Sequence, residues 1–290
     1  MVPFQIAGEP GLKRGEPSGS ESSFSFGPDC LIFDVDGVLI NTDKSFPEAI
    51  RRTVRGEWAL AGYEADDAGY SDACNAVFKQ HGSFNDDYDI AWTLLNAAAS
   101  RSAGGRGPRR LSEAIPSPEE LRVIISGCPE DSVEWTRRSF GDEFPRERVR
   151  RVCADAYFGN DDSAGTFKLE SPILDADWKS LPLPAYIYTG RDMREWELAR
   201  KVLSWEDFPD ERVINSDSGI RKPSPEGILR ICKRFGHDRP AFFGDTASDR
   251  LAQSASGMGW FVAVGGILKD DKLWFKSVPE ALSILMGWSR

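Results

Sequence analysis

Short apolar runs that end directly at polar residues recur five times along the chain, at Cys30–Phe33, Ala185–Tyr188, Arg212–Asn215, Ala241–Phe243 and Trp260–Val264. Segments with apolar residues at helical spacing lie between the later runs. Strands that alternate with helices indicate βαβ units, and therefore a parallel sheet covered by helices on both faces. We predict an α/β fold with a Rossmann-like, three-layer core, in which ligands bind beyond the carboxyl ends of the strands.

A long segment between the first two runs has a different pattern, because its apolar residues recur every four positions from residue 46 onward. This spacing is typical of helices and predicts an inserted, mainly helical cap domain. Two pairs, Ser45 with Glu48 and Asp192 with Glu195, have the spacing of a helix capping box. Residues before the first run are rich in Gly, Pro and Ser, which is typical of a flexible segment. The predicted domains are a flexible leader at 1–28, an α/β core at 29–42 with 184–290, and the cap at 43–183.

Composition and charge narrow the function classes. The chain has 36 Lys and Arg against 46 Asp and Glu, a net charge of −10, which disfavours nucleic acid as a partner. No apolar stretch is long enough to span a membrane. Five scattered cysteines without a C-x-x-C pair predict a reduced, cytoplasmic chain. Only two histidines are present, so carboxylates are the expected carriers of any catalysis.

Acidic residues follow two of the predicted strands. Asp34 and Asp36 come directly after the first run, and Asp245 and Asp249 come after the fourth. Taken alone, the first pair is equally well explained by a turn that closes a strand. Four carboxylates at one sheet edge would repel one another, and Mg²⁺ prefers such oxygen ligands. The sequence therefore predicts Mg²⁺ bound by Asp34, Asp36, Asp245 and Asp249.

Four motifs in order along the chain resemble those of the haloacid dehalogenase-like hydrolase superfamily. The first, D-x-D-G-[VT], reads Asp34-Val35-Asp36-Gly37-Val38, and the second is Thr189 in Tyr188-Thr189-Gly190-Arg191. The third is Lys222, and the fourth is Gly244-Asp245-Thr246-x-x-Asp249. A helical insert directly after the first motif matches the position of the cap in one branch of this superfamily.

The resemblance implies a role for each motif residue. Asp34 would attack phosphorus and form an aspartyl-phosphate, which water then hydrolyses. Asp36 would begin protonated, donate its proton to the leaving oxygen and later take one from the attacking water. Thr189 and backbone N–H groups near Gly190 would bind the phosphoryl oxygens, and Lys222 would neutralise their charge.

Several of these residues have simpler explanations. Thr189 could instead cap the helix that begins at Asp192. Arg221 could be the cation of the site in place of Lys222. The segment around Asn85 is a candidate for polar contacts with the substrate. Its alternative is a helix start capped by Asn85 or Asp86.

The predicted function is a Mg²⁺-dependent phosphatase that acts on a small phosphorylated metabolite, with neither nucleic acid nor membrane as a partner. A phosphomutase of the beta-phosphoglucomutase type is the enzymatic alternative, because its motifs are the same. A module that binds a phosphorylated ligand without turnover is the alternative from another class.

Overall fold

The structure is a computed structural model, and it describes residues 26–66, 70–103, 107–129 and 131–289. Most of the predicted flexible leader, residues 1–25, lies outside the described residues. Phe26, near the end of that predicted segment, packs its ring 5.2 Å from that of Trp260. The chain is therefore tied to the body of the protein before the first strand begins.

Short strands run through the core and the insert. In chain order they are β1 (Cys30–Phe33), β2 (Ile40–Asn41), β3 (Gly159–Asn160), β4 (Ser163–Ala164), β5 (Ser171–Pro172), β6 (Ala185–Tyr188), β7 (Val213–Ile214), β8 (Pro240–Gly244), β9 (Trp260–Val264) and β10 (Trp274–Phe275). In the described part of the chain, six of them form one parallel sheet in the order β10-β9-β8-β1-β6-β7. The five predicted runs all supply strands of this sheet, and β10 at its edge was not predicted.

Helices cover the sheet and fill the insert. In chain order they are α1 (Phe46–Leu60), α2 (Asp72–Lys79), α3 (Asp87–Ser102), α4 (Leu111–Ala114), α5 (Pro118–Ile125), α6 (Ser132–Phe140), α7 (Arg146–Phe158), α8 (Met193–Val202), α9 (Glu226–Phe235), α10 (Ala247–Ser256) and α11 (Val278–Met286). The predicted capping box is present at α8, where Asp192 accepts from the Glu195 N–H and Glu195 accepts from the Asp192 N–H.

Alternate residues of β1 enter two different hydrophobic clusters. Leu31 and Phe33 pack with residues of α8 and α11, whereas Cys30 and Ile32 pack with residues of α9 and α10. Side chains of a strand alternate between the two faces of its sheet, so both faces of this sheet are covered by helices. The prediction of a three-layer α/β core is confirmed.

The helices from α1 to α7 share a hydrophobic cluster of their own, drawn from residues 46–157. The chain enters and leaves this insert through the antiparallel pair of β2 and β5, in which Ile40 faces Pro172. The capping box predicted at α1 is wrong, because Ser45 makes no side-chain capping bond. Its hydroxyl donates instead to the Thr42 carbonyl and to Oε1 of Glu170, near the exit of the insert.

Candidate active site

Asp34 and Lys222 form a buried ion pair at the carboxyl end of the sheet. Asp34 directly follows β1, and Lys222 lies in the loop before α9. Nζ of Lys222 is 2.8 Å from Oδ1 of Asp34 and 2.6 Å from Oδ1 of Asp249. Burial raises the pKa of Asp34 to about 7, against the opposing effect of Lys222. Burial alone would lower the pKa of Lys222, but the carboxylates of Asp249 and Asp34 raise it above its usual value. Lys222 is therefore positively charged.

The neighbouring Arg221 does not take the place of Lys222. Its side chain is 60% exposed, and its ion-pair partner is Asp86 of the insert, at 3.6 Å. The side chain of Lys222 is only 1% exposed. The geometry therefore favours Lys222 as the cation of the site.

Asp245 completes an acidic group beside this ion pair. One carboxylate oxygen from each of Asp34, Asp245 and Asp249 lies within 4.8 Å of the other two. The buried Oδ1 of Asp245 has no hydrogen-bond partner among the described residues. Burial, and then repulsion from Asp249 and Asp34, raises the pKa of Asp245 well above its usual value. A divalent cation relieves both the burial cost and the repulsion, so these oxygen donors fit the predicted Mg²⁺.

Gly37 of the first motif allows Asp245 to approach this closely. Its φ is +70°, and a Cβ atom at this position would lie 2.2 Å from Oδ2 of Asp245. Glycine adopts positive φ without steric cost, and it alone lacks the atom that would clash. Any larger residue at position 37 would displace Asp245 from the acidic group.

Asp36 was predicted as a fourth metal ligand, but its carboxylate lies outside this acidic group and pairs with Arg191. Nε and Nη2 of Arg191 donate to Oδ1 of Asp36 at 2.8 and 2.6 Å. The same guanidinium, which is fully buried, donates to Oε1 of Glu170 at 3.0 Å and to the Tyr157 hydroxyl at 3.2 Å. Both of these acceptors belong to the insert. Arg191 belongs to the second motif, but the sequence predicted no role for it.

Thr189 is buried and its Oγ1 accepts from the N–H of Arg191 at 3.2 Å. Asp192 caps α8, so the alternative that Thr189 is the cap of this helix is wrong. Because Oγ1 is the acceptor in that contact, its O–H remains available to donate. The geometry is therefore compatible with the predicted role of Thr189 as a hydrogen-bond donor.

Asn85 reaches from the insert to the second motif. Its Oδ1 accepts from the Ser248 hydroxyl at 2.8 Å, and a Cβ atom at Gly190 would lie only 2.9 Å from its Nδ2. Asp86, whose carboxylate accepts from two N–H groups of the first turn, caps α3. Asn85 is therefore not needed as a cap, and the structure brings it next to Gly190.

A cavity of about 130 Å³ lies between the strand ends and the insert. The core lines it with Asp34, Asp36, Lys222, Asp245 and Gly190, and the insert lines it with Phe46, Lys79, Asn85, Tyr88 and Arg150. Lys79, at the end of α2, donates to Oδ2 of Asp87 at 2.8 Å. This partly buried cation could not be predicted from the sequence, because a lysine that ends a helix is usually exposed.

The structure combines a parallel sheet, an acidic group at its carboxyl edge and a helical insert beside that group. The sequence signature of the haloacid dehalogenase-like hydrolases matches residues 28–257, and the chain belongs to this family. Among proteins of curated function, none matches the sequence significantly. Within the described residues, every helix is too short or too polar to cross a bilayer.

Solved structures share the fold. The phosphatase Tt82 from Thermococcus thioreducens is 24% identical, with a TM-score of 0.61 over 89% of this chain and 100% of that chain. A hydrolase from Pseudomonas syringae is 14% identical, with a TM-score of 0.52 over 90% of this chain and 99% of that chain. At these identities the likeness establishes the architecture, with the insert included in the overlap.

Proposed function

We propose that this hydrolase is a Mg²⁺-dependent phosphatase that acts on a small phosphorylated metabolite through an aspartyl-phosphate. The observation that carries the proposal is the buried Asp34 carboxylate, held 2.8 Å from the Lys222 ammonium beside two further carboxylates. A buried carboxylate next to a fixed cation is suited to attack a phosphorus atom, because the cation offsets the charge of both reactants.

Asp34, Asp245 and Asp249 would hold the metal ion. The ion would supply positive charge to the phosphoryl oxygens and to the attacking carboxylate. Lys222, which contacts both Asp34 and Asp249, would add a second positive charge. Asp249 also accepts from the N–H and hydroxyl of Thr246 at 3.0 and 2.6 Å, so its orientation is fixed.

Asp36 would move the proton. It would protonate the leaving oxygen when Asp34 attacks, and then accept a proton from the water that hydrolyses the aspartyl-phosphate. Both hydrogen bonds from Arg191 go to Oδ1, and among the described residues Oδ2 has no hydrogen bond. Oδ2 is therefore the oxygen proposed to carry the proton, while Arg191 holds the carboxyl group in place.

Residues 43–183 are proposed to act as a cap that excludes water and contacts the leaving group. The cavity of about 130 Å³ shares Asn85, Gly190 and Lys222 with a second cavity of about 410 Å³, and pockets for small molecules usually measure about 300–1,000 Å³. Thr189 and Gly190 would bind the phosphoryl oxygens, and Asn85 would contact the substrate from the insert. The proposed location is the cytoplasm, since all five cysteines are buried free thiols.

The test is release of inorganic phosphate from a panel of sugar phosphates, phosphoglycolate, histidinol phosphate, nucleotides and an aryl phosphate. We expect release that requires Mg²⁺, stops in EDTA and is strongest on one substrate. Asp217→Asn is the matched control for Asp34→Asn, because Asp217 lies near another strand end and, among the described residues, accepts only from the Met193 N–H.

Four outcomes would contradict the proposal. Release that continues in EDTA would exclude the metal, and release by Asp34→Asn would exclude the nucleophile. Conversion of one sugar phosphate into an isomer, without net phosphate release, would identify a phosphomutase. Stoichiometric retention of a phosphorylated ligand without turnover would identify a binding module.

A further inference from the structure

A second group of metal-ligand side chains lies at the opposite end of the sheet, where β1 begins. A carboxylate oxygen of Asp29, the sulfur of Cys30 and a ring nitrogen of His237 lie within 4.8 Å of one another. The acidic group of the active site follows the other end of the same strand. Four strand residues span roughly 13 Å, so the two groups are separate sites.

His237 is held in place from two directions. Gly236 directly follows α9 with a φ of +74°, and the Cys232 carbonyl accepts from the N–H groups of both Gly236 and His237. The Tyr186 hydroxyl, on the neighbouring strand β6, contacts Nε2 at 2.8 Å. Metal-binding histidines usually have their second nitrogen held in this way. This contact leaves Nδ1 directed towards Asp29, 3.6 Å from its Oδ1.

The two oxygens of Asp29 have different surroundings. Oδ2 accepts from the N–H groups of Asp238 and Arg239 at 2.9 and 3.1 Å, which fixes the carboxylate against the loop after α9. Oδ1 is buried and has no hydrogen-bond partner among the described residues. A buried oxygen without a partner is costly unless something else binds it. This oxygen is the one that faces His237.

Cys30 supplies the sulfur and has no exposed surface. Cys232, on α9, packs in the same hydrophobic cluster as Cys30. One thiolate and one carboxylate carry two negative charges, which a divalent cation balances while the imidazole stays neutral. Sulfur and nitrogen donors select zinc-like ions, whereas Mg²⁺ takes oxygen donors.

We propose that Asp29, Cys30 and His237 bind a zinc-type divalent cation at the amino end of the sheet, apart from the catalytic Mg²⁺ site. Binding converts the Cys30 thiol to a thiolate and releases its proton to solvent. The ion then joins the start of β1 to the loop after α9. His237 and Asp29 are partly exposed, which leaves a path for the ion to enter.

The experiment is a cobalt titration of the full chain after treatment with a chelator, with Mg²⁺ in excess to occupy oxygen sites. We expect one equivalent of Co²⁺ to produce thiolate-to-cobalt absorption in the near ultraviolet, and Zn²⁺ to displace it. Cys30→Ser should abolish the absorption. Tyr186→Phe, which frees the His237 ring, should weaken binding by about 10- to 100-fold, and His237→Gln should weaken it by at least as much.

Matched variants separate this site from others in the chain. His81→Gln changes the other histidine, and Cys153→Ser changes a buried cysteine of the insert, so both should keep the absorption and the affinity. Asp245→Asn should also keep them, because it alters only the acidic group of the active site.

Absence of thiolate absorption in the folded wild-type protein would overturn the proposal. Retention of the absorption and the affinity in His237→Gln would overturn it too. Because Cys30 is fully buried and Cys30→Ser could fail to fold, circular dichroism is recorded for each variant. The partly exposed His237 provides the second test in that event.

Discussion

Asp34 and Asp36 stand two residues apart, yet each faces a different buried cation with a different set of neighbours. The lysine cluster consists of Lys222, Asp34, Asp245 and Asp249. The arginine cluster consists of Arg191, Asp36, Glu170 and Tyr157. The lysine cluster has three carboxylates to one ammonium, which contacts two of them, and the buried Oδ1 of Asp245 has no hydrogen-bond partner among the described residues. It is short of positive charge, as expected of a site that takes a metal ion.

The arginine cluster also has a buried oxygen without a hydrogen-bond partner among the described residues, Oε2 of Glu170, but it has only two carboxylates to one guanidinium. Its guanidinium donates from Nε, Nη1 and Nη2 to acceptors of the protein itself, and Ser45 and Tyr157 add hydroxyl donors to Glu170. Glu170 and Tyr157 belong to the insert, whereas Arg191 and Asp36 belong to the core. Two acidic residues of one motif can therefore contact different cations and serve different roles. In the proposed function the lysine cluster carries the chemistry, whereas the arginine cluster joins the insert to the core and holds the Asp36 carboxylate.

The largest expected effect is the loss of turnover in Asp34→Asn. The amide is a poor nucleophile at phosphorus, so phosphate release should fall by more than about 10³-fold, as is usual when a nucleophile is removed. The fold should survive, because the change removes a charge from a cluster with an excess of negative charge. Steady-state kinetics and thermal unfolding measure the two effects. Turnover within tenfold of the wild type would reject Asp34 as the nucleophile, provided that Asp217→Asn behaves normally.

The second prediction separates the two clusters by their response to Mg²⁺. Lys222→Met and Arg191→Met each leave buried carboxylates without their cation, so each should lower the free energy of unfolding by about 3–5 kcal/mol without metal. Saturating Mg²⁺ should restore a large part of the loss in Lys222→Met, because the ion binds the same carboxylates. It should restore little in Arg191→Met.

Urea unfolding with Mg²⁺ and with EDTA measures this difference. Arg230→Met is the control, because Arg230 is half-exposed and pairs only loosely with Glu226, at 3.8 Å. Its stability should change by less than about 0.5 kcal/mol. Equal recovery of both buried-cation variants by Mg²⁺ would show that the clusters do not differ as described.

The two clusters also differ in how far the sequence could reveal them. Asp34 and Asp245 follow strands directly, and Asp249 lies in the first turn of the helix after Asp245. The carboxyl ends of parallel strands share one edge, so the convergence of these residues could be predicted. Asp36 and Arg191 are separated by 155 positions, and no local pattern specifies their contact. Ser45 is a second example. Its spacing from Glu48 predicted a local capping bond, whereas its hydroxyl donates to Glu170, which lies at the far end of the insert. Tertiary contacts decide such cases.

The third prediction concerns a contact beside the arginine cluster that changes with pH. Glu195 of α8 accepts from the Tyr88 hydroxyl of the insert at 2.5 Å, and burial raises the pKa of Glu195 to about 7, although that hydrogen bond lowers it. The unfolded chain loses this proton near pH 4.5, whereas the folded protein keeps it until about pH 7. The wild type should therefore lose stability relative to Glu195→Gln as pH rises through this window, by at most about 3 kcal/mol.

The measurement is the difference in unfolding free energy between wild type and Glu195→Gln at pH 4.5 and at pH 7.5. Glu197→Gln on the same helix is the control. Its hydrogen bond to Arg200 lowers the pKa of Glu197, so that carboxylate stabilises the fold as pH rises, and the control should show a small change of opposite sign. A difference for Glu195→Gln that stays constant with pH would contradict the prediction.

The smallest expected effect is a change in KM on substitution of Asn85. This residue of the insert lines the same cavity as the lysine cluster. If its amide contacts the substrate, Asn85→Ala removes one hydrogen bond worth about 1 kcal/mol, and KM should rise about fivefold with little change in kcat. Ser248→Ala is the matched variant, because it removes the 2.8 Å bond to Oδ1 of Asn85 but leaves the amide in place. A smaller rise in KM for Ser248→Ala than for Asn85→Ala would assign Asn85 to the substrate. Equal effects in both variants would mean that Asn85 only joins the insert to α10. Its role would then be structural, like that of the arginine cluster.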